Sequence, residues 1–142
     1  MGKILKVDLT EEKISVEDLN MEWARKYIGG RGLATKYFYE MVKDPKIDPL
    51  DERNVLIFAT GPLTGTPSPS ASRYMVVTKG FLNNAIASSN SGGFFGPELK
   101  FAGFDMVIIT GKAKSPKYLY IKDGKAELRD ASHLWGKDTH ET

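Results

Sequence analysis

The chain has no cysteine. Without thiols it forms no disulfide, offers no thiolate nucleophile, and supplies no ligand to a Cys-bound zinc or iron–sulfur cluster. Histidine is nearly as scarce, with only His133 and His140 near the C-terminus, which argues against a His-rich metal site. Neither sign of charge dominates: 20 Lys and Arg against 18 Asp and Glu give a formal charge of +2. So small an excess leaves no electrostatic footprint for nucleic acid or an anionic membrane. No run approaches the roughly 18 apolar residues of a spanning helix. The opening Met-Gly-Lys-Ile-Leu-Lys-Val-Asp carries charges inside its apolar stretch, unlike a signal peptide. These absences set the expectation of a cytoplasmic protein with neither nucleic acid nor membrane as a partner.

What is present is ordinary globular composition: 142 residues, 41% hydrophobic and 27% charged, enough for one domain with a real core. Residues 4–9 partly alternate apolar and polar, and Ile14-Ser15-Val16 alternates again after Thr10-Glu11-Glu12-Lys13, so a hairpin is expected. Asn20 is placed to cap a helix that starts at Met21. A second helix is expected from Gly32 to Val42, where Leu33, Ala34, Tyr37, Phe38, Met41 and Val42 form one continuous face.

Val55–Ala59 reads as a strand covered on both faces, Met106–Thr110 as a strong strand, and Tyr74–Thr78 and Ile86–Ser88 as further strands. Between them, residues 61–72 hold three prolines and two glycines in twelve positions. That segment can be neither helix nor central strand, so it is a long surface loop, and such loops are often functional. A short helix is expected from Pro97 to Phe101, closed by Gly103. Lys117–Lys122 and Lys125–Arg129 alternate around Asp123-Gly124, the strongest hairpin signal in the chain. The order of elements favours an α+β fold with mixed or antiparallel sheets over a doubly wound one. Trp23, Phe94, Phe95, Phe101, Phe104 and Trp135 are expected in the core or between helix and sheet. Asp138-Thr139-His140-Glu141 has the spacing of a capping box that announces a helix, so the expectation is a domain spanning 1–142 and incomplete at its C-terminus.

No catalytic constellation stands out. Gly29-Gly30-Arg31-Gly32 before a helix is either an anion-binding turn or a packing device. Asn90-Ser91-Gly92-Gly93, leading from a strand into a helix, admits the same two readings: a phosphate-accepting turn, or a tight connection that needs glycine. The amide of Asn90 adds a donor, and its carbonyl is free to meet a hard cation. Arg73 follows the Pro/Ser loop and opens a strand, so its guanidinium can grip phosphate or stack on a planar heterocycle, or simply be solvated.

At these residues the chain resembles a known family. Gly-Gly-Arg-Gly-Leu-Ala (29–34), Gly-Pro-Leu-Thr-Gly-Thr (61–66), Ser-Arg-Tyr (72–74), Asn-Ser-Gly-Gly (90–93) and Gly-Pro-Glu-Leu-Lys-Phe-Ala-Gly-Phe-Asp (96–105) occur in this order. Lys-Tyr-Leu-Tyr-Ile-Lys-Asp (117–123) and Asp-Ala-Ser-His-Leu-Trp-Gly-Lys (130–137) extend the match. Together they resemble the N-terminal domain of the tungsten-pterin aldehyde:ferredoxin oxidoreductases. The resemblance implies a base of two β-sheets related by an approximate two-fold, on which a tungsten bis-pterin cofactor lies with a magnesium ion bridging its phosphates. It implies that Arg73 contacts one pterin, that Asn90, Ser91, Gly92 and Gly93 line the same pterin and its phosphate, and that the Asn90 carbonyl faces the magnesium.

Family enzymes oxidise aldehydes to carboxylic acids and pass electrons through a [4Fe–4S] cluster to ferredoxin. The cluster's cysteines and the acid/base residues belong to later domains of those proteins, so this chain alone is expected to be inactive, with the remaining domains of the enzyme as its partners. The alternative is a stand-alone phosphate- or pterin-binding or assembly module without catalysis. Dimers or larger homo-oligomers are also expected, with the alternating strand Lys117–Lys122 as a candidate pairing edge.

Overall fold

The computed structural model describes residues 2–142. It is α+β, with a six-stranded sheet, a two-stranded sheet and three helices. Strands β1 (Lys3–Asp8) and β2 (Lys13–Asp18) form the first hairpin. Helices α1 (Met21–Tyr27) and α2 (Gly30–Met41) follow, then β3 (Leu56–Thr60), β4 (Tyr74–Lys79) and β5 (Ile86–Ser91). Helix α3 (Phe95–Phe101), β6 (Met106–Thr110) and the hairpin β7 (Lys117–Lys122) and β8 (Lys125–Asp130) complete the chain.

The large sheet has the order β2-β1-β6-β3-β4-β5. Only β1 and β6 pair in parallel; every other neighbour is antiparallel. Strands β1, β6 and β3 lie in the middle, covered on both faces, which is why their sequences are apolar runs rather than strict alternations. Ile4, Ile57, Ala59, Val77, Met106 and Ile108 face α1 and α2, where they meet Leu33, Ala34 and Phe38. Leu5, Val7 and Val107 face the other way, toward Leu99 of α3, Phe104 and the apolar face of the β7–β8 hairpin. Ile108 is fully buried at the centre of the sheet. Ile108→Ala is expected to cost about 2–5 kcal/mol of unfolding free energy, because its neighbours cannot close the cavity; urea denaturation measures it.

The local signals held at several places. The Asn20 side chain caps α1 by accepting from Trp23 N at 3.0 Å, and Tyr37 Oη accepts from Asn20 N at 2.9 Å, tying the cap to α2. At the C-terminus the capping-box bonds are made, Asp138 N donating to Glu141 Oε2 at 3.1 Å and Glu141 N to Asp138 Oδ1 at 3.0 Å, but residues 139–141 form a turn rather than the helix such a box announces.

Three expectations need correction. Helix α2 begins at Gly30, two residues early, because Gly29 and Gly32 pack against Pro62 and the Tyr27 carbonyl, where added Cβ atoms would lie 3.0 and 2.9 Å away. Strand β5 continues through Asn90 and Ser91, since β4 offers a full antiparallel ladder that local polarity does not reveal. Phe94, Phe95, Phe101 and Trp135 are exposed rather than core, with Phe94 85% accessible. Phe104 and, in part, Trp23 are buried as expected, while the exposed Phe95 still touches Phe58 and Tyr74 with one side of its ring.

Candidate cofactor-binding site

The Pro/Ser loop is held by its own hydrogen bonds. Gly61 N donates to Thr64 Oγ1 at 3.0 Å, and Gly65 N donates to the Ala71 carbonyl at 2.9 Å. The Thr64 hydroxyl, buried inside the loop, donates to the Arg73 carbonyl at 2.9 Å. The loop thus fixes the backbone of Arg73 just before β4 starts.

Register does the rest. In the β4–β5 ladder Met75 stands opposite Asn90, and Tyr74 opposite Ser91. Arg73 lies two residues before Met75 and so projects to the same face as Met75 and Asn90. Its Nη1 donates to Asn90 Oδ1 at 2.7 Å. Asn90 Nδ2 in turn donates to Met75 Sδ at 3.0 Å. The side-chain carbonyl of Asn90 is therefore engaged by Arg73, whereas the expectation for a cation concerns the backbone carbonyl of the same residue.

The glycines divide by function. A Cβ on Gly92 would meet Ser72 Oγ at 3.7 Å and Arg73 Cδ and Nε at 3.9 Å, ordinary contacts that place Gly92 directly beside the guanidinium. Gly93 has φ +81° and open space around its Cα, a backbone that other residues adopt only under strain. Gly96 is different: it is buried, and a Cβ there would lie 2.8 Å from the Ser72 carbonyl oxygen. That residue is glycine because the start of α3 presses on the end of the loop.

The side chain of Ser91, opposite Tyr74, turns to the other face of the sheet and leaves only its backbone beside Arg73, Asn90, Gly92 and Gly93, which thus lie at one patch. A cavity of about 270 Å³ opens beside it, lined by Gly30, Ala59, Pro62, Thr64, Arg73 and Met75 among others. Gly30 belongs to this wall through Met75, whose Cγ lies 3.5 Å from where a Cβ on that glycine would stand. Sequence reading missed Thr64 and Met75. A threonine inside a Gly/Pro-rich turn is a recognisable turn-closing signal, whereas nothing in a strand-interior methionine announces a role in holding an amide.

Among the described residues no three His, Cys, Asp or Glu side chains are gathered as metal ligands. The donors at the patch are a guanidinium, an amide and glycine backbone. Such a set suits a phosphate on a flat heterocycle, which guanidinium and glycine N–H groups can approach closely, so the residues present fit a pterin phosphate.

This fold is that of an N-terminal domain found in larger oxidoreductases. The family model of the aldehyde ferredoxin oxidoreductase N-terminal domain matches residues 4–142, and the chain belongs to that family. A tungsten-containing aldehyde ferredoxin oxidoreductase of Pyrococcus abyssi is 56% identical over 141 residues, 99% of this chain and 23% of the relative. An aliphatic sulfonate oxidoreductase, WOR-like subunit, of Pyrococcus furiosus is 44% identical over 138 residues, 95% of this chain and 22% of that relative. The active-site complex BamBC of benzoyl-coenzyme A reductase, solved with 1,5-dienoyl-CoA, superposes with a TM-score of 0.95 at 41% identity, over 99% of this chain and 21% of that one. The chain thus spans about a quarter of the length of the relatives it matches. Its α+β class, with two sheets and few helices, stands as expected. Among the described residues no helix is long and apolar enough to cross a membrane.

Proposed function

We propose that this domain is the base that holds one half of a tungsten bis-pterin cofactor. The observation that carries the reading is the meeting of Arg73, Asn90 and Gly92 on one exposed patch, from segments 17 residues apart in sequence. Arg73 would hold one pterin and its phosphate through charge and planar contact, and the backbone of Ser91, Gly92 and Gly93 would meet the phosphate, the two glycines leaving room for its close approach. The backbone carbonyl of Asn90 would serve as an oxygen ligand for a magnesium ion. When bound, the cofactor supplies the redox centre at which an aldehyde is oxidised to a carboxylic acid, with electrons passing through a [4Fe–4S] cluster to ferredoxin.

The names of the relatives support a cofactor role over a substrate role. Proteins with this domain are named for aldehydes, aliphatic sulfonates, glyceraldehyde-3-phosphate and benzoyl-CoA. A surface common to such different substrates serves what the enzymes share. The substrate site, cluster ligands and acid/base groups then belong to other domains of a longer polypeptide, which are this domain's partners.

The 142-residue chain, lacking cysteine, is expected to bind no iron–sulfur cluster and to show no aldehyde-dependent reduction of a viologen dye. Turnover by the metal-free chain would overturn the reading. For the cofactor itself, the deciding measurement is tungsten per subunit in the longer polypeptide carrying Arg73→Ala.

A further inference from the structure

We infer that Asn90 and Met75 are positioning residues that hold the Arg73 guanidinium ready for an anion, an inference that rests on the cofactor reading above. An arginine side chain carries no acceptor, so its bond to residue 90 must reach the amide oxygen. That assignment turns the amide NH₂ toward Met75, whose sulfur lies 3.0 Å from Nδ2. Met75 is itself half-buried against Gly30. The chain of contacts from Gly30 through Met75 and Asn90 therefore fixes which way the amide faces, and the amide fixes Arg73.

The choice of partner is chemically telling. A carboxylate at position 90 would hold the guanidinium as firmly but cancel its charge. An amide holds it and leaves the charge whole, with the remaining N–H groups free for a phosphate. Freezing one long side chain before binding is worth about fivefold in affinity, the part of binding otherwise lost to ordering it.

The test uses the 142-residue chain with inorganic pyrophosphate as probe, read by calorimetry, and ¹⁵N relaxation of the arginine side chains without ligand. In the wild type Arg73 is expected to be ordered. Asn90→Ala and Met75→Leu should free it and weaken pyrophosphate binding about fivefold. Asn90→Asp should keep Arg73 ordered yet weaken pyrophosphate binding at least as much, a split that a purely structural role would not produce. Affinity unchanged by Arg73→Ala overturns the cofactor reading itself. Affinity lost in Arg73→Ala but kept in Asn90→Ala overturns the positioning role alone, whether Arg73 stays ordered or not.

Discussion

Replacing Lys100 with methionine is expected to cost about 3–5 kcal/mol of stability, the usual penalty for removing one partner of a buried ion pair. Lys100 and Asp105 pair where their side chains are only 6% and 13% exposed. The carboxylate does more than neutralise the lysine. Its Oδ2 accepts from Gly2 N at 2.5 Å and from Lys3 N at 3.1 Å, while the Asp105 carbonyl accepts from Thr60 N at 3.0 Å and Thr60 Oγ1 at 2.8 Å. One residue thus gathers the start of β1, the end of β3, the start of β6 and α3. Methionine keeps the stem of the lysine and leaves the Asp105 charge buried with only two amides to meet it. Lys100→Met with Asp105→Asn removes both charges and should recover part of the loss, which a double-mutant cycle in urea would measure.

The same pair gives a pH dependence. Burial pushes the Asp105 carboxyl up, but the Lys100 ammonium and the Gly2 and Lys3 amides outweigh it, and the group lies below its ordinary value of 3.8. A carboxyl depressed in the folded state contributes stability that is complete above its unfolded value and is lost as pH falls through the folded one. The contribution is therefore present at neutral pH and disappears in acid, below about pH 4. Asp105→Asn should flatten that part of the acid unfolding profile.

The legible parts of this molecule were those where chemistry is local. Asn20 announces a helix start because a short acceptor side chain satisfies its own neighbour's N–H. Asp123-Gly124 announces a hairpin because both residues accept positive φ, and both adopt it, at 49° and 76°. The face of α2 was legible because 3.6-residue periodicity survives any tertiary detail. The illegible parts depend on a partner elsewhere in the chain. Ser88-Ser89-Asn90-Ser91 has no apolar face to mark it as strand and is one only because β4 pairs with it. Phe94, Phe95, Phe101 and Trp135 have the composition of core and lie outside it, since burial needs a second surface. Lys79 is the converse: a charged residue inside the fold, its Nζ donating to the carbonyls of Pro45 at 2.5 Å and Ile47 at 2.6 Å. At the site, the glycine turn and Arg73 were legible as separate candidates. Their union was expected only through the family resemblance, because physically it rests on the β4–β5 register.

That register also separates cofactor loss from loss of fold. In the longer polypeptide, Arg73→Ala is expected to remove most of the bound tungsten while moving stability by less than about 1 kcal/mol, as an exposed arginine should. Gly92→Ala should follow it. The added methyl meets protein atoms only at 3.7 Å and beyond, so the fold accepts it, but it stands beside the guanidinium where the phosphate must approach. Gly96→Ala supplies the control. Its methyl would lie 2.8 Å from a backbone oxygen and 3.1 Å from Thr64 Cγ2, so it should lower stability by about 1–3 kcal/mol through overpacking. Tungsten per subunit and melting temperature, measured together on the three variants, give a crossed pattern: metal lost with the fold intact for Arg73→Ala and Gly92→Ala, fold weakened for Gly96→Ala. Full tungsten occupancy in Arg73→Ala and Gly92→Ala, with any loss confined to the melting temperature, would mean that these residues only build the edge of the sheet.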